Sequence, residues 1–217
     1  MIHLIRLSIP DILNRKKNEW TTKLLNKRLS EPNARPDHNK YGHIEIKNKL
    51  FAISTYKCFY SEEKLKGEYR EIDHHIEVDE KPEDTYEWEN LYLASANCND
   101  KLPHKDISNN DVLNPFTNSD DEIQVNLYFE DECILSDSEI GKNTIKKYRL
   151  DSESLDLKRS KILHKFKNQL IDIKNDIIKD GRTSYNEEEA LKLKRFAYND
   201  APFSLMFKLI LKQNNII

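Results

Sequence analysis

Cysteine is scarce in this chain: three residues in 217, an odd number and too few for the disulfide framework of a small secreted domain. Long apolar runs are missing as well. Nothing approaches the roughly 20 consecutive apolar residues that a membrane span needs, and the apolar part of Met1-Ile2-His3-Leu4-Ile5-Arg6 is too short for a secretory leader. No internal repeat and no low-complexity tract interrupts the sequence. These shortages point away from membrane and secreted classes and set the expectation of a cytoplasmic protein with no membrane partner. What is present is 37% hydrophobic and 34% charged residues, the composition of a polar but foldable chain long enough for one or two domains.

The net charge of −3 is an average over three unlike segments. Residues 1–60 hold 12 Lys/Arg against 5 Asp/Glu, and residues 142–217 hold 17 against 10. Residues 61–141 hold 6 against 23. Basic flanks can contact phosphates while an acidic middle carries a cation, although solvated helix faces give the same pattern.

Pro10 to Leu29 reads as a helix: Ile12, Leu13, Trp20, Leu24 and Leu25 keep to one side, Pro10 suits its first turn, and Glu31-Pro32 ends it. A polar loop from Asn33 to Gly42 leads to a second helix over Ile44 to Ser54. Beyond it the periodicity is poor. A β-like run from Tyr69 to Val78, an acidic loop from Asp79 to Asp84 and a short helix beginning near Asn90 are expected. Ile123 to Leu135 alternates loosely, as one or two strands would. Leu155 to Lys179 has Ile162, Phe166, Leu170, Ile173 and Ile177 at helical spacing, closed by Gly181. Asn186 with Glu189 forms a capping box for a helix running through Tyr198, and a last helix covers Phe203 to Lys212. Its apolar density serves either the chain's own core or a partner.

The chemistry concentrates between Cys58 and Asn99. Asp73-His74, then Trp88-Glu89-Asn90-Leu91, then Cys98-Asn99 follow one another in that order. Hydrolysis of a phosphodiester needs an activated water, a cation at the phosphate and help for the leaving oxygen. A neutral imidazole takes the water proton, which suits His74. A carboxylate and an amide oxygen, Asp73 and Asn99, suit Mg²⁺ (or Mn²⁺) better than zinc, because oxygen donors and retained waters match that ion. Neighbours on a strand point to opposite sides, so an Asp-His pair can face a cation and a water separately. His75 is the alternative imidazole at this place, and any lone histidine is more often structural than catalytic.

The chain resembles the HNH, or ββα-metal, nucleases of the Septu type, anti-phage proteins that act with an ATPase of the ABC or SMC-like class. The resemblance is carried by Lys57-Cys58-Phe59-Tyr60-Ser61-Glu62, Ile72-Asp73-His74, Tyr86-Glu87-Trp88-Glu89-Asn90-Leu91, Cys98-Asn99 and Leu113-Asn114-Pro115-Phe116. It is continued more weakly by Thr144-Ile145, Arg149-Leu150-Asp151 and Leu155 to Arg159. It implies an α+β fold in three parts: an N-terminal helical segment (1–56), an HNH nuclease module (57–118) and a mainly helical C-terminal region (119–217) open to partner docking. It further implies that His74 is the general base, that Asp73 and Asn99 hold the metal, that Asn90 braces the catalytic loop, and that DNA is the substrate.

One departure concerns zinc. Many relatives hold a structural Zn²⁺ with two Cys-x-x-Cys pairs, whereas here the pairs read Cys58 with Ser61 and Ser95 with Cys98. Serine hydroxyls replace thiolates poorly at a tetrahedral site. Structural zinc is therefore not expected, nothing in the spacing of Cys133 makes it a third ligand, and Cys58 and Cys98 are expected as free buried thiols. The competing class is a catalytically silent HNH-like module that binds nucleic acid or a partner without cutting.

Overall fold

A computed structural model describes residues 1–65 and 71–216 of the chain. The described residues form a mixed α+β architecture in which two small antiparallel sheets lie among helices. Among them no helix is long and apolar enough to cross a membrane.

Pro10, extended at φ −60° and ψ 142°, starts α1 (Asp11–Ser30), which buries Leu13 and Leu24 and leaves Ile12, Trp20 and Leu25 partly covered. The segment expected as loop contains a short turn of helix, α2 (His38–Tyr41), capped by the Asp37 carboxylate on the Asn39 N–H at 3.0 Å. α3 (Ile44–Ser54) buries Ile46, Leu50 and Phe51 and ends where Thr55 and Tyr56 turn to positive φ.

β1 (Glu71–His74) occupies the expected Tyr69 to Val78 run, whose first two residues lie outside the described residues. It pairs antiparallel with β2 (Leu91–Ala94), placing Asp73 opposite Tyr92 and His74 opposite Leu91. The helix expected near Asn90 is a single 3₁₀ turn, Trp88–Asn90, running straight into β2. All four residues of β2 are buried, and a continuous apolar run of that length is ambiguous between buried strand and helix until a partner strand is known. α4 (Ala96–Asn99) follows and packs on both strands, so the element order is β-β-α. Ser95 caps it by accepting from the Cys98 N–H.

The Ile123 to Leu135 run also differs from expectation. Its first half is a helix, α5 (Asp120–Asn126), and only the second half forms the hairpin of β3 (Tyr128–Glu130) and β4 (Cys133–Leu135). Ser119 and Glu122 make a reciprocal capping box, and three acidic residues in the first turn suit the helix dipole. These outweigh the weak alternation of Ile123, Val125 and Leu127.

α6 (Glu139–Lys147) precedes the long α7 (Glu153–Lys179), whose buried face is Leu155, Arg159, Leu163, Phe166 and Ile173. Gly181, at φ 65°, ends α7, with the Arg182 N–H returning to the Ile177 carbonyl at 2.9 Å. α8 (Glu187–Lys194) opens on the expected Asn186–Glu189 capping box and continues as a 3₁₀ turn to Ala197. α9 (Ser204–Gln213) buries Leu205, Met206, Phe207 and Leu211, so much of its apolar density closes the chain's own core. There Phe166, Phe196 and Phe207 meet with ring centroids 5.1–5.3 Å apart.

One buried cluster draws on all three parts of the chain. The C-terminal helices are tied to the middle through Glu62. Its buried carboxylate accepts from Lys57 Nζ at 3.2 Å, the Met1 amino group at 3.0 Å, the Leu205 N–H at 3.3 Å and the Ser204 hydroxyl. Lys57 Nζ in turn donates to the Ala201 carbonyl at 3.0 Å. Truncating the carboxylate strands a buried ammonium, so Glu62→Ala is expected to cost about 3–5 kcal/mol in urea unfolding. A loss under about 1 kcal/mol would show that this contact behaves as a surface pair.

Candidate functional site

Asp73 and His74 end β1 and point to opposite sides of it, as strand geometry requires. Asp73 faces the interior and is 2% exposed. Its Oδ2 accepts from the Tyr60 hydroxyl at 2.6 Å and its Oδ1 contacts Lys101 Nζ at 2.8 Å. Lys101, 3% exposed, also reaches Glu77 Oε1 at 3.0 Å and the carbonyls of His74 at 2.8 Å and His75 at 3.4 Å. Burial disfavours the ammonium, but Asp73 and Glu77 outweigh it and hold the Lys101 pKa above its ordinary value. The strand end and the segment after α4 are thus joined by one charged group among four oxygen-bearing partners.

His74 is half-buried on the other side, edge-on to Tyr41 with ring centroids 4.9 Å apart. Its Nε2 lies 3.1 Å from the Thr85 carbonyl. A carbonyl only accepts, so the proton sits on Nε2 and Nδ1 is left as the basic nitrogen. Burial lowers the His74 pKa, against the opposing pull of Asp73, and the ring is neutral near pH 7.

The loop between β1 and β2 is long, and Asn90 spans it. Asn90 Oδ1 accepts from the Ile76 N–H at 2.6 Å, and its Nδ2 donates to the carbonyls of Ile76 and Asp84, both at 3.1 Å. The Asn90 carbonyl takes the His75 N–H at 2.9 Å. One buried amide therefore closes the loop that carries Thr85, the partner of His74.

Asn99, in α4, donates from Nδ2 to Glu71 Oε2 at 2.5 Å. Both Asp73 oxygens are engaged by Tyr60 and Lys101, and among the described residues no three His, Cys, Asp or Glu side chains converge as ligands. The donor set as arranged does not fit a divalent ion between Asp73 and Asn99, because the Lys101 ammonium stands at the carboxylate. The sequence signal for Lys101 was faint: a lysine two positions beyond Asn99.

His75, the alternative imidazole, is a core residue. It stacks on Tyr92 at 4.5 Å between ring centroids and lies near the hydroxyls of Tyr60 (3.4 Å) and Tyr148 (3.5 Å) and Asn114 Nδ2 (3.3 Å). Tyr60 and Tyr148 stack on one another at 3.9 Å. A cavity of about 340 Å³ opens beside His75 and Asn90, with Asp84, Glu87 and Glu89 on its wall against Arg6.

The positions expected to be degenerate for zinc come together. Cys58, Ser61, Ser95 and Cys98 are all buried, and Cys58 and Cys98 share a hydrogen bond. Burial opposes ionisation of Cys58, but the Cys98 thiol, the Ser61 hydroxyl and the N–H groups of Ser61 and Ser95 converge on it and lower its pKa. Cys98, as donor to Cys58 and buried beside it, is pushed up. Cys133 is exposed in β4.

No protein-family model matches this sequence, and no curated protein is significantly similar to it.

Two outcomes follow from the buried charges. Burial, countered by Asp73 and reinforced by Lys101, Lys147 and Arg6, takes His75 from an ordinary 6.5 down to about 4. Between those values the unfolded chain binds the proton and the folded one does not, so stability falls as pH drops through that window. Comparing urea unfolding at about pH 7 and pH 4.5, His75→Phe, which keeps a ring on Tyr92, should reduce the acid-induced loss by about 2–3 kcal/mol. An unchanged loss would place the titration elsewhere. Lys101→Met leaves Asp73 buried and unpaired and should cost about 3–5 kcal/mol. Adding Asp73→Asn should recover part of that cost, and strict additivity of the two changes would show that the pair is uncoupled.

Proposed function

We propose that the protein is an HNH-type endonuclease that hydrolyses phosphodiester bonds of DNA, with His74 as its general base. The observation that supports this most is the setting of His74: a neutral imidazole with Nε2 committed to the Thr85 carbonyl and Nδ1 basic. It stands at the end of the first strand of a β-β-α unit, beside a loop closed by Asn90. In this reading Nδ1 takes the proton of the attacking water, the Thr85 carbonyl steadies the imidazolium that results, and Asn90 keeps the loop in register. The motif order from Cys58 to Asn99 supports assignment as the nuclease effector of an anti-phage complex with an ABC or SMC-like ATPase subunit. Asp73 and Asn99 are given no chemical step, since Lys101 and Glu71 engage them.

A second reading, a silent HNH-shaped module that binds nucleic acid or a partner, is favoured by Lys101 itself. A carboxylate already neutralised by its own lysine is suited to holding a structure together.

Plasmid DNA incubated with Mg²⁺ or Mn²⁺, with the protein alone and co-purified with its neighbouring gene product, separates the two. The endonuclease reading expects cleavage by the wild type and a loss of about 10²- to 10⁴-fold in His74→Ala with unchanged thermal unfolding. Cleavage that survives His74→Ala sinks the role of the imidazole. Binding without cleavage in every combination leaves the second reading.

A further inference from the structure

Two thiols meet where the turn before β1 touches α4. Cys58 is 1% exposed and Cys98 is 0% exposed, and the two share a hydrogen bond. Backbone bonds hold both segments in place without help from the sulfurs. The Cys58 N–H donates to the Glu63 carbonyl at 2.9 Å, and the Glu62 N–H returns to the Cys58 carbonyl at 3.0 Å, closing a tight turn. Phe59, the next residue, donates its N–H to the Leu93 carbonyl at 2.9 Å, so this turn is fastened to β2. Cys98 sits in the single helical turn of α4, with its N–H on the Ser95 hydroxyl at 3.4 Å. Residues far apart in the chain are thereby brought into contact at a fixed place.

The groups around the pair differ from inert packing. The Cys58 sulfur accepts from the Cys98 thiol, the Ser61 hydroxyl and the N–H groups of Ser61 and Ser95. Several donors on one sulfur are the surroundings of a thiolate, and Cys98 keeps its proton as one of those donors. A thiolate beside a neutral thiol is the pairing from which a disulfide forms, because the thiolate is the nucleophile. The sulfurs already touch, so a bond draws on side-chain rotation rather than on displacement of the backbone. The cluster is approached through Ser95, which with Ala96, Glu63 and Leu65 lines a chamber of about 370 Å³. α4 is one turn long, and an element of that size opens locally at small cost. An oxidant the size of hydrogen peroxide suits this route better than a bulky disulfide.

We propose that Cys58 and Cys98 form a redox site, closed to a disulfide by a peroxide and reopened by a thiol reductant. The Cys58 sulfur attacks one oxygen of hydrogen peroxide, the O–O bond breaks, and the departing hydroxide takes the proton that Cys58 gave up and leaves as water. The Cys98 sulfur then attacks the sulfenic acid on Cys58. The S–S bond forms, the S–O bond breaks, and hydroxide leaves with the Cys98 proton as a second water. Between them the sulfurs lose two electrons, which the peroxide gains. Reopening is thiol–disulfide exchange, in which two molecules of the reductant leave joined as their own disulfide. The closed loop contains β1, β2 and the segment between them, and with these Asp73, His74 and Asn90. A covalent link across that loop restricts the unfolded chain, so the oxidised form is the more stable one. The proposal needs no part of the cleavage reading.

The test uses the full-length chain with Cys133→Ser, which removes the exposed thiol of β4. The protein, in EDTA and well below its unfolding temperature, is exposed to hydrogen peroxide, quenched with catalase and denatured in iodoacetamide. Intact mass and non-reducing peptide mapping then read the state of each sulfur. The expected result is the loss of two hydrogens, one cross-linked peptide pair holding Cys58 and Cys98, and no alkylation of either. The thermal midpoint should rise by about 5 °C or more, and dithiothreitol should reverse every change. Cys98→Ser in the same background should show neither the cross-link nor the rise over its own untreated form. Alkylation of both thiols after exposure overturns the proposal and leaves an inert buried pair. Oxygen added at Cys58 without a cross-link overturns the pairing, and a cross-link that lowers the midpoint overturns the stabilising role. A rise that persists in Cys98→Ser places the effect elsewhere and overturns the site. The His74 cleavage test stands or fails separately from all of these.

Discussion

A buried ammonium cannot be left alone, and the middle of this molecule is arranged around one. Taking Lys101 and Asp73 out of water costs several kcal/mol per ion, and their mutual attraction offsets that only with good geometry and filled hydrogen-bonding capacity. Both conditions are met: Asp73 on one side, Glu77 on another, and two strand-end carbonyls between them. The same carboxylate receives Tyr60, which stacks on Tyr148 beyond the end of α6, so the C-terminal part is built onto the ion pair as well. Asp73 and Lys101 thereby set the end of β1, and the end of β1 sets His74.

Charge is also distributed at longer range. The acidic middle of the sequence is not uniformly acidic in space. Part of it is neutralised internally, as at Asp73, and part faces outward around the cavity beside Asn90. The basic C-terminal third supplies the lysines of α7, three of which share one side of that helix. Segments that differ in sign along the chain become surfaces that differ in sign on the molecule. A small net charge therefore says little about what either surface attracts.

The parts of the fold that could be read from sequence are those with local causes. α7 announces itself by apolar spacing and by Gly181, and α8 by the Asn186–Glu189 box. α5 was equally legible through Ser119 and Glu122, but the alternation of Ile123, Val125 and Leu127 pointed the other way, and capping prevailed. β2 could not be told from a helix because its burial on both faces depends on β1 and α4. In the candidate site, the opposite facing of Asp73 and His74 follows from strand periodicity, whereas the gathering of Cys58, Ser61, Ser95 and Cys98 was implied only by the family resemblance. What no local rule could supply was the partner of each group. Lys101 reaches Asp73 across 28 positions of chain, and Thr85 meets His74 across the loop.

The Lys101–Asp73 contact makes the cation at this carboxylate a part of the chain itself. A positive charge carried on the chain is present once per protein from synthesis onward, independent of ion concentration, and it reaches Asp73 only when the segment after α4 closes against β1. Since it binds the carbonyls of His74 and His75 in the same step, the strand end that orients the imidazole is completed by that closure. One side chain from beyond α4 thus fixes the shape of the strand end that carries the imidazole.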